Sequence, residues 1–295
     1  MFSRLLVPLD GSSLSERALP IATLLAQATG AQLWLVRAAR ERGSQGPGAC
    51  QEAQTYLEGV RRRLGDALSI HIATSDTPPA RAIATIAAQH TIDLIVMTTH
   101  GHGGLQRLVH GSVAEAILAD SRVPVLLVRM NAPAPAIPTH DERPRVLVPL
   151  DGSPFAEAAL PAAAALARAL DWTLVLLRVA IPPTALLVDP EIARTETTDR
   201  ILEAESIAAS HYLKGIADGL QAEGLRIETR LRVGLAAQAI LDEGAASGAS
   251  LVIMATHGRS GLGRMLRGSV ATEVLHRGSL PLLLVRPSTV NAAEP

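Results

Sequence analysis

Short apolar runs alternate along the chain with longer stretches in which apolar positions recur every three to four residues. Leu5 to Leu9, Leu33 to Ala38, Ile70 to Ala73, Leu94 to Met97 and Val123 to Val128 are such runs, each bounded by turn-forming residues. Runs this short and this continuously apolar predict strands covered on both faces, as in a parallel sheet. Between them Leu14, Ala18, Ile21, Ala22 and Leu25 fall at helical spacing, and Ala82 to Ala88 and Val113 to Leu118 follow suit. Strands that alternate with helices need right-handed crossovers, so the pattern predicts a three-layer, Rossmann-like α/β domain: a five-stranded parallel sheet flanked by helices.

The same order then comes round a second time. RLLVPLDGS from Arg4 returns as RVLVPLDGS from Arg145, an offset of 141, and Glu16, Ala18, Leu19, Pro20 and Arg37 recur as Glu157, Ala159, Leu160, Pro161 and Arg178. Further along, Thr99 to Gly101 returns as Thr256 to Gly258, an offset of 157, so the second copy carries 16 extra residues around Pro182 to Ser210. Its strands are expected near 145–150, 173–180, 226–233, 250–255 and 281–286. The chain is therefore two tandem domains, 1–130 and 144–288, with a linker at 131–143 whose prolines disfavour helix and sheet, and a tail at 289–295. The terminal apolar strands, Val123 to Val128 and Leu280 to Val285, are expected to pair across a pseudo-two-fold axis and cover edges otherwise left open.

Composition narrows the function. In 295 residues, 48% are hydrophobic, enough for two cores, while 27 Lys+Arg nearly cancel 28 Asp+Glu. Such balance gives no field to draw in nucleic acid or an anionic membrane, and six aromatic residues are too few for base stacking. Lys214 is the one lysine, which closes mechanisms that need a lysine within a motif elsewhere. The single cysteine, Cys50, fits a reducing cytoplasm. The first apolar run meets Asp10 too early for an export signal, and Ala158 to Ala167 is near half the roughly 20 residues of a membrane span.

In open α/β sheets, ligands lie at the carboxyl ends of the strands, where the strand order reverses. Two loops stand there. Asp10 to Ser12, and Asp151 to Ser153, follow strand one; their carboxylates either cap the next helix or accept hydrogen bonds from a ribose or adenine. After strand four come MTTHGHGGLQRLVHGS from Met97 and MATHGRSGLGRMLRGS from Met254. Their glycines precede a Gly-Ser that opens a helix, where free N–H groups and the positive dipole end form an anion site. His100 and His257 either order these loops or touch phosphate, and Arg259, Arg264 and Arg267 add forked donors where the first copy has His102, Arg107 and His110. Trp34 and Trp172 read as core fillers. GRMLRGS from Gly263 lacks the P-loop lysine, LDGSS lacks the dinucleotide fingerprint, and no zinc-hydrolase or serine-elbow string occurs.

These residues resemble those of the universal stress protein family, and the whole chain looks like a tandem member built from two domains of the UspA type. Nucleotide-binding members show G-x2-G-x9-G-[ST] after strand four. Gly258, Gly268 and Ser269 match it in the second copy, and Gly101, Gly111 and Ser112 in the first; Ala255 and Thr98 replace the initial glycine. The resemblance implies ATP or AMP, with Mg²⁺ as an optional companion, bound without rapid catalysis in a stress regulator. It further implies that Asp10 and Asp151 approach the ribose or adenine, and that the backbones of Ala38 and Val179 lie beside the base. The site residues are then Asp151, Val179, Ala255, His257, Gly258, Arg259, Gly268 and Ser269, with Asp10, Ala38, Gly101, Gly111 and Ser112 in the first copy. A nucleotide-free scaffold of the same family is the alternative, and an adenylating enzyme of a related fold a more distant one.

Overall fold

The computed structural model describes residues 2–39, 48–99, 111–129, 143–182, 196–256 and 269–287. The first repeat runs β1 (Arg4–Pro8), a 3₁₀ turn (Ser15–Ala18), α1 (Leu19–Thr29), β2 (Gln32–Ala38), α2 (Ala49–Leu64), β3 (Ile70–Ser75), α3 (Pro79–Gln89), β4 (Leu94–Thr98), α4 (Ser112–Asp120) and β5 (Val125–Val128). The second runs β6 (Arg145–Leu150), α5 (Pro154–Glu157), α6 (Leu160–Leu170), β7 (Thr173–Ala180), α7 (Glu196–Ala222), β8 (Ile227–Val233), α8 (Ala236–Ala246), β9 (Ala249–Ala255), α9 (Ser269–Arg277) and β10 (Leu282–Val285). Strand alternates with helix throughout, as the apolar pattern requires. Both α1 and α6 carry proline in their first turn, where its missing N–H costs nothing. α1 stops on left-handed Gly30, and α6 stops on left-handed Asp171, whose carboxylate accepts from Arg143 and Arg226.

The described residues form two compact units. One holds residues up to 129 together with 281–286, with strand order β3-β2-β1-β4-β5-β10; the other holds 143–256 and 269–280, with order β9-β6-β7-β8. Within each repeat the pairing is parallel. The exception is β10, which lies antiparallel to β5 in the first unit: Leu283 faces Leu126, its counterpart at offset 157, with Leu282 opposite Leu127 and Leu284 opposite Val125. The pairing is thus locally two-fold, and it gives β5 a neighbour on its outer side.

Burial corrects one expectation. Leu5, Leu6 and Val7 of β1, all of β4 and β5, and Leu174 to Leu177 of β7 are sealed on both faces. β3 and β8 are not: every residue of β3 is half-buried, and β8 exposes Thr229, Arg232 and Val233. Each ends its strand order, with a neighbour on one side only. The charges of β8 are partnered. Glu243 of α8 is buried and accepts from Arg232 at 2.6 Å, while Arg145 and Arg230 hold Glu228. Trp172 is a buried core residue, but Trp34 is only half-buried, stacked between the rings of His71 and His90 at 4.6 and 3.8 Å. Among the described residues no helix is long and apolar enough to cross a membrane.

Candidate functional site

The strand order of each repeat reverses between its first and fourth strands, at β1/β4 and at β6/β9. Ladder length shows what happens there. β1 pairs with β2 over five residues, yet with β4 only at Leu5 and Leu6; β6 pairs with β7 over six, yet with β9 over three. On the switch-point side the paired register thus stops before the carboxyl ends of β1 and β6, the place where open α/β sheets take their ligands. Register fixes what borders it. Because Pro8 faces Val36 and Leu150 faces Arg178, Asp10 and Asp151 leave their strands at the carboxyl ends of β2 and β7, where Ala38 and Val179 lie. The family resemblance named these residues together, and they lie at the same ends of neighbouring strands.

The Asp loops are built alike. Gly11 and Gly152 have φ of +86° and +84°, a region in which a side chain is strained, so the chain turns there on glycine. One carboxylate oxygen of Asp10 accepts from the Ser12 N–H at 2.9 Å and hydroxyl at 2.6 Å; Asp151 accepts from Ser153 at 2.9 and 2.5 Å. The serine, not the aspartate, caps the next helical turn: Ser153 Oγ accepts from the Ala156 N–H at 3.1 Å, and Ser12 Oγ from that of Ser15 at 3.1 Å. The capping alternative for the aspartates is therefore set aside. Their carboxylates are oriented by the turn, and Asp151 is exposed.

After β4, Gly111 precedes α4 in extended conformation, has no side chain to cap the helix with, and donates to the Thr99 carbonyl at 2.6 Å. The first N–H groups of α4 begin at exposed Ser112, where a helix start favours an anion. In the second repeat Ala255 is half-buried at the end of β9, Ser269 opens α9, and the buried Thr256 hydroxyl has no hydrogen-bond partner among the described residues. Thr98 is buried, so its side chain fills space where the motif has none. His100, Gly101, His102, Arg107 and His110, and His257, Gly258, Arg259, Arg264, Arg267 and Gly268, lie outside the described residues, as do the tail and most of the linker. No group of three or more metal-ligating side chains occurs among the described residues.

A second constellation escaped the sequence reading. Beneath the first loop the Tyr56 hydroxyl donates to Glu16 at 2.8 Å, Arg63 donates to the same carboxylate at 2.6 Å, and the Arg37 guanidinium lies 4.8 Å from the Tyr56 ring centre. Arg37 also approaches Gly11 so closely that a Cβ there would meet Cζ and both terminal nitrogens at 3.1–3.3 Å. The second repeat keeps part of the set: Tyr212 donates to Glu157 at 2.9 Å and Arg178 lies beside Gly152, while Gly219 stands where the first repeat has Arg63. Burial, then the bond to glutamate, raises both phenol pKa values well above the ordinary tyrosine range. The signal was present, since the chain's two tyrosines are these two, but their offset of 156 lies beyond the insertion.

Known proteins resemble the chain along most of its length. The Universal stress protein family matches residues 1–129 and 142–286. A universal stress protein of Mycolicibacterium smegmatis is 30% identical over 249 residues, covering 81% of this chain and 79% of that protein. One from Thermus aquaticus is 34% identical over 148 residues, 44% of this chain and all of its own length. The solved universal stress protein of Archaeoglobus fulgidus superposes with a TM-score of 0.71 at 20% identity, over 97% of this chain and 98% of that one, which shows a shared fold.

Proposed function

Since the chain belongs to the universal stress protein family, we propose that it binds an adenine nucleotide, ATP or AMP, at the switch point of each repeat and serves as a cytoplasmic stress-response regulator without rapid turnover. The observation that supports this reading is the topological switch point at β1/β4 and at β6/β9, with an aspartate oriented by its turn at the end of β1 and of β6 and a helix opening on serine after β4 and after β9. Asp10 and Asp151 would accept from ribose or adenine, with Ala38 and Val179 as apolar neighbours of the base. The starts of α4 and α9 would hold phosphate by N–H donation and dipole, and the Thr256 hydroxyl is a donor without an acceptor among the described residues. Mg²⁺, where it accompanies ATP, would neutralise the phosphates.

The second repeat is the stronger site in this reading. Ala255 adds one carbon where the family motif has glycine, whereas buried Thr98 adds a branched side chain. Arg259, Arg264 and Arg267 outnumber the cations of the first loop, and a charged hydrogen bond is worth about 1.5–3 kcal/mol. The test is a calorimetric ATP titration with Mg²⁺ of wild type, Gly268→Val and Gly111→Val. The Gly268 change should remove most binding and the Gly111 change little; the reverse overturns the ranking. No binding by wild type overturns the reading in favour of the nucleotide-free scaffold. Phosphate release at the roughly 1–10³ per second of ordinary enzymes overturns the non-catalytic part.

A further inference from the structure

The two repeats supply a control for one another, and α7 departs from its counterpart α2 in a way the nucleotide site does not explain. Aligned on Tyr56 and Tyr212, both helices bury the same positions against their sheets: Ala53, Leu57 and Val60 in α2, Ala209, Leu213 and the half-buried Ile216 in α7. Their outer faces differ. The exposed residues of α2 are polar apart from Cys50, as a solvated face requires. On α7, Ile207 and Ala208 stand where α2 has Gln51 and Glu52, and the N-terminal extension brings Ile201 and Ala204. Ile201 is 50% exposed and Ile207 55%. At 100° per residue these four span one 120° arc, with the alanines in the middle and an isoleucine at each margin. Small residues dominate the arc, with Gly215 further along it, and the exposed His211 is the one aromatic ring among them.

The charges in and beside this arc say what fits it. Arg200 and Asp218 are both exposed and lie five full turns apart, so they occupy the same angular position; Glu203 and Lys214, also exposed, lie three turns apart on the neighbouring row. The midpoints of the two pairs fall together, at residue 209 and between 208 and 209. A second α7 laid antiparallel across a two-fold axis at that point places Arg200 against Asp218 and Glu203 against Lys214, each twice. Lys214 and Asp218 already bridge at 2.7 Å within the helix, which holds both on this face. We propose that the outer face of α7 is a self-association surface, and that its occupant is the same face of a second copy of this chain. One helix face buries less than the roughly 1,200–2,000 Å² of stable interfaces, so the complex is a weak, concentration-dependent dimer.

The test uses the full chain in sedimentation equilibrium from roughly micromolar to millimolar concentration. Wild type should climb toward twice the monomer mass. Glu203→Lys alone and Lys214→Glu alone each turn two attractive pairs repulsive and should weaken association by about tenfold or more. Mixed one to one, the two variants restore both attractions and should associate as wild type does. Ile207→Glu, with helix content checked by circular dichroism, should remain monomeric. A wild type that stays monomeric overturns the proposal. So do single variants that associate undiminished, which would put the interface elsewhere, and a mixture that shows no recovery.

Discussion

Each of the two tyrosines is tied to a glutamate under an aspartate loop. Desolvation and that bond favour the neutral phenol in the folded state, so folding raises the pKa above the value near 10 of the free side chain. Below pH 10 both states keep the proton and this contribution to stability is fully present. Above it the unfolded chain releases protons first, so stability falls as pH rises toward the elevated folded pKa. Phenolate absorbance of the native protein should therefore stay absent at pH 10 and appear only with alkaline unfolding. Tyr56→Phe and Tyr212→Phe should each flatten the decline of stability above pH 10. A native protein whose two tyrosines titrate together near pH 10 would show that the loops are not supported in this way.

Edge strands decide how a parallel sheet ends. β3 and β8 tolerate the position through half-exposed and ion-paired side chains, whereas β5 is fully apolar and depends on β10. Leu126 and Leu283 are both sealed from solvent and face one another across the ladder. Leu126→Ala and Leu283→Ala should each cost about 2–5 kcal/mol in urea unfolding. As direct neighbours they should not add: the double mutant should reveal a coupling of about 0.5–3 kcal/mol. Additive losses would mean that the two leucines are buried independently and that the pairing contributes little.

At the scale of the whole chain, β10 lies among the strands of the first unit although it is the last strand of the second repeat. Residues 1–131 expressed alone keep β1 to β5 but lose that cover, leaving four consecutive buried apolar residues, Val125–Val128, at an open edge. The fragment should dimerise or aggregate, as light scattering would register. A stable, soluble monomer would mean that the first repeat closes its own edge.

The order of strands and helices and the repeat with its offset were legible in the sequence, whereas Ala38 and Val179 as neighbours of Asp10 and Asp151 came from the family resemblance. Apolar periodicity reports which residues meet an interior, and two similar strings fold to similar loops. The Gly-Ser helix starts were legible for the same reason, since glycine, serine and helix periodicity are local signals. Tertiary structure alone decided the rest. No local signal tells an outer strand such as β3 from an inner one, because the missing neighbour is remote in sequence. The Glu16–Tyr56 and Glu157–Tyr212 bonds join residues 40 and 55 apart, brought together by helices packed on a shared sheet. That Ser153 rather than Asp151 caps α5 depended on the positive φ of Gly152, which turns the serine hydroxyl toward the helix. The pairing of Leu126 with Leu283 needed both repeats folded, because a strand's hydrogen-bonding edge has no counterpart in its amino-acid sequence.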